Sequence, residues 1–477
     1  MKANKQKKEL SRRDVLKKSS LATFGFTFLP AYLTAAKSKD NPLLPPSERV
    51  NLGCIGVGGI AIGTVKNIAG NGQAVPVAFA DVDYNHKKSE RNGSSNPKNF
   101  PKAVHFNDFR VMLDKMGKDI DAVSVCTPDH THFTATITAM SMGKHVYTQK
   151  PLTYTFEESE ILMRAEKKFK VITQMGNQGH TGGGTAQFEN FMKHGIANDI
   201  VKIEAFMKSG LWYMKDKGRL SKYPAPSAPP KSLKNWDLWC GPRKKIDYRE
   251  MLHPASWRGW FDYGNGMFGD WGAHIIDFAH HYLELGLPTK INPVKLIEHN
   301  ELSFPKASHI TFDFPERASH LPACQMVWKE GDEFESIQAD EKYANPGQAA
   351  PMVNDGGTLL YRKQEDYVIR RGHHGDVSRI YPFTVMKEFG QKVKAPRPEY
   401  SHHESFIQAI KGNCATNSPF SIAGPLSQTL ILGALAQRLN VELNFDIKSK
   451  KIIGNDVANA LLNPPAREEW AHLYKLA

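Results

Sequence analysis

The stretch VNLGCIGVGGIAIG, residues 50–63, decides the fold. Its apolar run Val50–Ile55 has strand composition and stops at Gly56, and a helical pattern then runs from the turn to about Ala69. Strand, glycine turn and helix in that order put the free N–H groups of a helix N-terminus where a pyrophosphate can be held. Gly56 suits the tight turn and Gly58 the approach of phosphate to backbone, while Ala61 takes the third small position of the fingerprint. Gly59 and Ile60 complete the turn. A glycine turn without any ligand would look the same over so few residues, so the flanks have to decide. A second strand, Val75–Ala80, ends in Asp81, 25 residues after Gly56. A carboxylate there accepts hydrogen bonds from ribose hydroxyls and repels a 2′-phosphate, which favours NAD over NADP. His86, Lys87, Lys88 and Arg91 stand close enough to leave NADP open.

Working outward, strands and helices keep alternating. Helical patterns cover Asp108–Met116, Thr131–Met142 and Phe156–Lys168, and strand-like runs cover Ala122–Cys126, His145–Thr148 and Val171–Met175. That alternation predicts an α/β chain with a doubly wound parallel sheet. Beyond Gly176 the pattern changes. Val201–Met207, Val294–His299, His309–Phe314, Cys324–Trp328, Thr358–Arg362 and Tyr367–Arg371 read as strands with no crossover helices, hence a second, open and mostly antiparallel sheet. Tyr213–Arg249, rich in Pro, Lys and Trp, reads as a long ordered loop, and Glu404–Lys411 and Pro425–Leu439 as helices. The expected organisation is an N-terminal signal over 1–36, a Pro-rich linker over 37–48, a nucleotide-binding domain over 49–176 and a substrate-binding and oligomerisation domain over 177–477, whose C-terminal tail can return to the first domain.

The 477 residues carry a formal charge of +13, and residues 1–36 hold eight Lys/Arg against Glu9 and Asp14, nearly half of that excess. The remainder shows no basic run interleaved with aromatics, which argues against nucleic acid as a partner. Ser11-Arg12-Arg13-Asp14-Val15-Leu16-Lys17, followed by the apolar run Ser19–Ala36, resembles a twin-arginine export signal, with cleavage near Ala35 or Ala36. Export to the periplasm follows as the expectation, an uncleaved N-terminal anchor being the alternative. The run is too short and too interrupted by Pro30 for a membrane span. Five widely spaced cysteines contain no CxxC pair, and buried free thiols are expected.

Two further stretches carry chemistry. Thr148-Gln149-Lys150-Pro151 closes a strand, and ligands of doubly wound sheets bind beyond such strand ends. Lys150 can reach a substrate oxygen or the nicotinamide ribose there. GDWGAHIIDFAHH, residues 269–281, read as one helix, places Asp270, His274, Asp277 and His281 on a single stripe. A histidine suits removal of a hydroxyl proton, and a carboxylate one turn away orients its imidazole. Asp270 and His274 have that spacing. The four polar residues extend too far along a straight helix to share one ion, so no metal is expected. Asp277 and His281 then support the site rather than form it.

These motifs together resemble the Gfo/Idh/MocA oxidoreductases, a family named for glucose–fructose oxidoreductase and inositol dehydrogenase. The resemblance is carried by GVGGIA at Gly56–Ala61, CTPDHTH at Cys126–His132, QKP at Gln149–Pro151 and GDWGAH at Gly269–His274. It implies a Rossmann domain followed by an α/β domain with an open sheet often used for oligomerisation. It also implies a tightly held nicotinamide cofactor, with sugars or cyclitols as substrates. Lys150 matches the lysine of the family's EKP motif, and Asp270 and His274 match its D-x-x-x-H pair with the histidine as base. Thr127, Pro128 and His132 fall on its nucleotide side. Gln149 stands where the family usually has glutamate. Asn177, Gln178 and His180, after a strand end, and Trp257 and Arg258, before the GDWGAH segment, are candidates for contacts to sugar hydroxyls, with plain structural roles as the alternative for each.

The leading expectation is an exported oxidoreductase that turns a secondary hydroxyl of a sugar, glycoside or cyclitol into a ketone, a homo-oligomer in the family manner. A glycosidase that uses the same NAD through transient oxidation and elimination is the alternative. A sugar-binding protein that kept only the fold is a third class.

Overall fold

A computed structural model describes residues 48–84, 96–210, 212, 222–317 and 321–477. All of these belong to one compact unit, Leu44–Ala477. The segments assigned to the signal and to most of the linker, and the basic cluster His86, Lys87, Lys88 and Arg91, lie outside the described residues.

The first sheet has six parallel strands: β1 Val50–Ile55, β2 Ala74–Ala80, β3 Val104–Phe106, β4 Ala122–Val125, β5 His145–Thr148 and β6 Thr173–Met175. Their order is β3-β2-β1-β4-β5-β6, the doubly wound arrangement with its switch point beside β1. Helices α1 Ile60–Ala69, α2 Phe109–Met116, α3 Asp129–Ser141 and α4 Phe156–Phe169 make the crossovers. Local chemistry sets their ends. Asp108 caps α2 by accepting from the Arg110 N–H, and Thr155 and Glu158 form a reciprocal capping box on α4. Register then positions the site. Ile55 pairs with Ala80 on one side and Val125 on the other, and Thr148 pairs with Val125 and Met175. The loops that begin at Gly56, Asp81, Cys126, Gln149 and Gly176 therefore leave the sheet at one level, along its C-terminal edge.

After helix α5, Gly183–Lys193, the chain builds a nine-stranded sheet. Its principal strands are β7 Ile200–Met207, β8 Lys290–Ile297, β9 Ala307–Phe314, β10 Cys324–Glu330, β11 Gly356–Arg362, β12 Val368–Arg371 and β13 Arg379–Tyr381. The neighbour pairs are antiparallel except β7 with β10, which run parallel. Two short C-terminal strands, β14 Leu443–Asp446 and β15 Lys451–Ile452, extend the edge beside β8 and were not expected from the sequence. The Pro- and Trp-rich loop includes a short helix, Trp236–Cys240.

Two late helices tie the halves together. In α6, His402–Ile410, Phe406 and Ile407 join a buried cluster with Val50, Leu52, Cys54 and Phe79 of the first sheet. Helix α7, Phe420–Leu439, buries most of its length between α4 and the second sheet, and Gly433 is needed there because a Cβ would meet the Phe268 and Phe312 rings at 2.7 Å. Among the described residues, no helix is long and apolar enough to cross a membrane. All five cysteines are unpaired, four of them buried.

The 268–282 segment is not the single straight helix expected. Phe268–Gly272 forms a wide π turn, Ala273–Ile275 a short α stretch, and the helix resumes at Asp277 after a break at Ile276. The break dissolves the expected stripe. Asp277 accepts from Asn177 Nδ2 at 2.9 Å and pairs with His180 Nδ1 at 2.8 Å, and the His281 ring lies 5.2 Å from that of His180. Buried polar groups need partners, and the π turn lets Asp270 and Asp277 find theirs on different walls.

Candidate active site

A cavity of about 580 Å³ opens at the level set by the strand register. Gly56, Gly58, Gly59, Ile60 and Asp81 form one end, and Lys150, Asp270 and His274 the other. The turn is built for close approach. Gly56 has φ +76°, and a Cβ there would sit 2.7 Å from the Cys126 carbonyl. Gly59 has φ +57° with open space beside it, and α1 starts with no side-chain cap, its N-terminus lining the cavity at Gly59 and Ile60. Asp81 is held by the Val57 N–H at 2.8 Å and the Asp83 N–H at 2.9 Å. Thr127 Oγ1, further along the wall, is buried with no hydrogen-bond partner. Glycine cradle, carboxylate and orphaned hydroxyl fit a dinucleotide.

Behind this wall, His132 pins two loops. Its ring nitrogens lie 2.7 Å from the Pro151 carbonyl and 2.8 Å from that of Thr127, and burial holds its pKa down to about 4. The Thr127-Pro128 turn is thereby tied to Lys150-Pro151. Gln149 is buried and donates to Thr64 of α1 at 2.8 Å. That neutral bond links the lysine strand to the phosphate helix.

At the far end Lys150 Nζ lies 2.6 Å from Asp270 Oδ1 and 2.5 Å from the Asp270 carbonyl. Trp212 Nε1 donates to the other carboxylate oxygen at 2.9 Å. Burial opposes ionisation of Asp270, but the charges of Lys150 and Arg258 and these hydrogen bonds outweigh it and keep its pKa below the usual carboxylate value. Asp270 therefore serves Lys150, where the sequence expected it to orient His274. The His274 imidazole instead stacks on His374, ring centres 3.9 Å apart, and its buried Nδ1 has no partner. Burial foremost, then the charge of Lys150 and the neighbouring imidazoles, drive the His274 pKa well below its usual value, so the ring is neutral at neutral pH.

Of the candidate sugar contacts, Gln178, Trp257 and Arg258 line the cavity. The Arg258 guanidinium lies over the Trp257 ring at 4.1 Å and the Trp212 ring at 5.3 Å. Asn177 and His180 do not line it; both are buried and turned to Asp277. Other lining residues went unread in the sequence: Trp212, Trp239, His253, Trp271 and His374. Trp271 lay inside the GDWGAH motif and Trp239 in the Trp-rich loop, whereas nothing local marks His374. Asp129, inside CTPDHTH, is buried near Lys150 and Arg258; burial raises its pKa to about 6 against the pull of those two charges. Among the described residues, no group of three or more His, Cys, Asp or Glu could hold a metal ion.

A doubly wound dinucleotide cradle facing an open-sheet domain, with a lysine–aspartate pair between them, defines a nucleotide-dependent oxidoreductase architecture. The chain belongs to the Gfo/Idh/MocA family. Residues 50–177 match the model for its NAD-binding Rossmann domain, and residues 187–301 and 351–472 match that for its C-terminal α/β domain. It is 25% identical over 174 residues to levoglucosan dehydrogenase of Pseudarthrobacter phenanthrenivorans, covering 36% of this chain and 35% of that protein. It is 28% identical over 189 residues to glycosyl hydrolase family 109 protein 2 of Shewanella sp. strain ANA-3, covering 38% and 40%. The matches thus span well under half the length of either relative. The WlbA dehydrogenase of Chromobacterium violaceum, solved with NADH and UDP-GlcNAcA, shares the fold with a TM-score of 0.53 at 15% identity, over 84% of this chain and 98% of that one.

Proposed function

We propose that the chain is an NAD-dependent dehydrogenase that oxidises a secondary hydroxyl of a sugar, glycoside or cyclitol, with Lys150, Asp270 and His274 as its working groups. The observation that carries this reading is the Lys150–Asp270 ion pair, 2.6 Å long, set in the same cavity wall as a neutral His274 and opposite the glycine cradle. Gly58, Gly59, Ile60, Asp81 and Thr127 would hold the nucleotide, and a nicotinamide bound there supplies the hydride acceptor. Asp270 holds Lys150 in place, and Lys150 binds and polarises the reacting oxygen. His274, neutral at neutral pH, takes the hydroxyl proton. Gln178, Trp257 and Arg258 hold the sugar, the tryptophan by its apolar face. Levoglucosan dehydrogenase among the relatives supports this substrate class.

Similarity to a glycosyl hydrolase family 109 protein favours a second reading, in which the same groups remove and return hydrogen during glycoside cleavage. Residues 1–36, with Arg12-Arg13 ahead of an apolar run, support export by the twin-arginine route, which carries folded protein with its nucleotide in place. A homo-oligomer formed through the open sheet belongs to the same proposal.

Sugars deuterated at their ring carbons test the reading. Deuterium should pass to the nicotinamide, seen in the mass of cofactor released from the protein. NAD held firmly with no transfer from any sugar would instead leave a sugar-binding protein.

A further inference from the structure

The hairpin between β12 and β13 carries His373-His374-Gly375-Asp376, and its His374 lines the cavity from the second sheet. His374 has φ +52°, a left-handed conformation that a non-glycine residue keeps only when its surroundings enforce it. The surroundings are the glycine run after Asn177. A Cβ on Gly179 would lie 2.6 Å from the His374 carbonyl carbon, and one on Gly184 only 1.9 Å from the Asp376 carbonyl oxygen. The Gly184 N–H also donates to the Gly375 carbonyl at 3.2 Å. These glycines let one backbone lie against the other.

The clamped tip delivers two contacts to His274. The His374 N–H donates to the His274 carbonyl at 3.1 Å, and the two imidazoles stack at 3.9 Å with their planes 27° apart. Trp271 meets the His374 ring edge-on at 5.1 Å, and His373 Nδ1 lies 2.8 Å from His374 Nδ1. With Asp270 committed to Lys150, the stack takes the place of the carboxylate in fixing the His274 ring.

We propose that His374 is a positioning residue that fixes the His274 imidazole plane and helps to hold it neutral. This rests on His274 being the proton acceptor. Two stacked imidazoles cannot both be cationic without strong repulsion, so a neighbouring ring that can itself gain a proton adds to the burial and the Lys150 charge that hold His274 neutral. The charged and titratable groups facing the pair are Lys150, His373 and His402 around His274, and Lys150, Asp270, His373 and Asp376 around His374. Lys150 and the histidines push the same way as the stack, and Asp270 and Asp376 oppose it.

The experiment uses the full chain loaded with NAD and histidine labelled with ¹³C at Cε1. The His274 signal is identified by its loss in His274→Asn. In His374→Asn, chosen because asparagine tolerates the left-handed conformation, the His274 midpoint should rise by about one pH unit. The acid limb of kcat should move with it, and kcat should fall on the order of tenfold with KM nearly unchanged. His374→Phe keeps the stacked face without a titrating group; it should retain most of kcat while showing the same upward shift. Folded, NAD-bound variants whose His274 titration is unchanged would overturn the proposal. The titration needs no substrate, so a failure of the dehydrogenase reading would show separately, as absent turnover in the unaltered protein.

Discussion

Lys150 and Asp270 form a half-buried ion pair, Nζ to Oδ1 2.6 Å, across 120 residues of sequence. Pairs of this kind matter less for stability than for placing a charge, since desolvation offsets much of their attraction. Lys150→Met should lower kcat by a factor on the order of 10²–10⁴ while leaving NAD affinity within a few-fold. Asp270→Asn should produce a loss of similar kind, because it leaves the lysine without its counter-charge. Steady-state kinetics beside nucleotide titration checks both. Normal turnover in either variant would remove the pair from the site.

We propose that Asp81 sets nucleotide choice. Its oxygens accept from the Val57 and Asp83 N–H groups, so its negative charge is fixed at the β2 end. The chain should prefer NAD over NADP, and Asp81→Ser should narrow the preference by roughly tenfold, about 1.4 kcal/mol. Paired affinity titrations with the two nucleotides measure it. An unchanged ratio would assign discrimination elsewhere.

How much of this was legible follows from what is local. The β1–turn–α1 unit and Asp81 could be read because strand, turn and helix adjoin in sequence, and Lys150 because it closes a strand. Asp270 and His274 could be found by type but not by partnership. The π turn at Phe268–Gly272 changes which way each side chain faces, and no periodicity in GDWGAHIIDFAHH signals it. Asn177 and His180 sit at the expected strand end, but Asp277 draws them away from the cavity. His374 reaches His274 only through sheet topology. The glycine run at 182–184 was its one trace in the sequence.

Two glycines of the nucleotide turn and helix should respond in opposite ways. Gly56→Ala meets a positive φ and the Cys126 carbonyl, and should destabilise the fold by about 1–3 kcal/mol and weaken NAD binding. Gly63 faces open space inside α1, and Gly63→Ala should stabilise by about 0.5–1 kcal/mol. Chemical denaturation of both variants tests the contrast.

Buried neutral histidines predict acid sensitivity. Burial foremost lowers His130 and His402 to about 3, and His132, His280 and His403 to about 4. Below an unfolded-state pKa of about 6.5 the unfolded chain binds protons that the folded chain refuses. Stability is therefore full above about pH 6.5 and falls towards pH 4, by up to about 1.4 kcal/mol per pH unit for each histidine. Urea denaturation at pH 7.5 and 5.0 should show the loss, and His280→Gln should reduce the difference by up to about 2 kcal/mol. Equal stability at the two pH values would contradict it.

A dehydrogenase must leave its cofactor lastingly reduced by a sugar hydroxyl. Purified, folded protein incubated with a panel of sugars and glycosides, with bound-nicotinamide absorbance and product masses followed in the same samples, tests it most directly. Lasting reduction of the cofactor together with a ketosugar is the expected result. Cleaved glycoside with no net reduction would contradict it and make the nucleotide a recycled catalyst of hydrolysis.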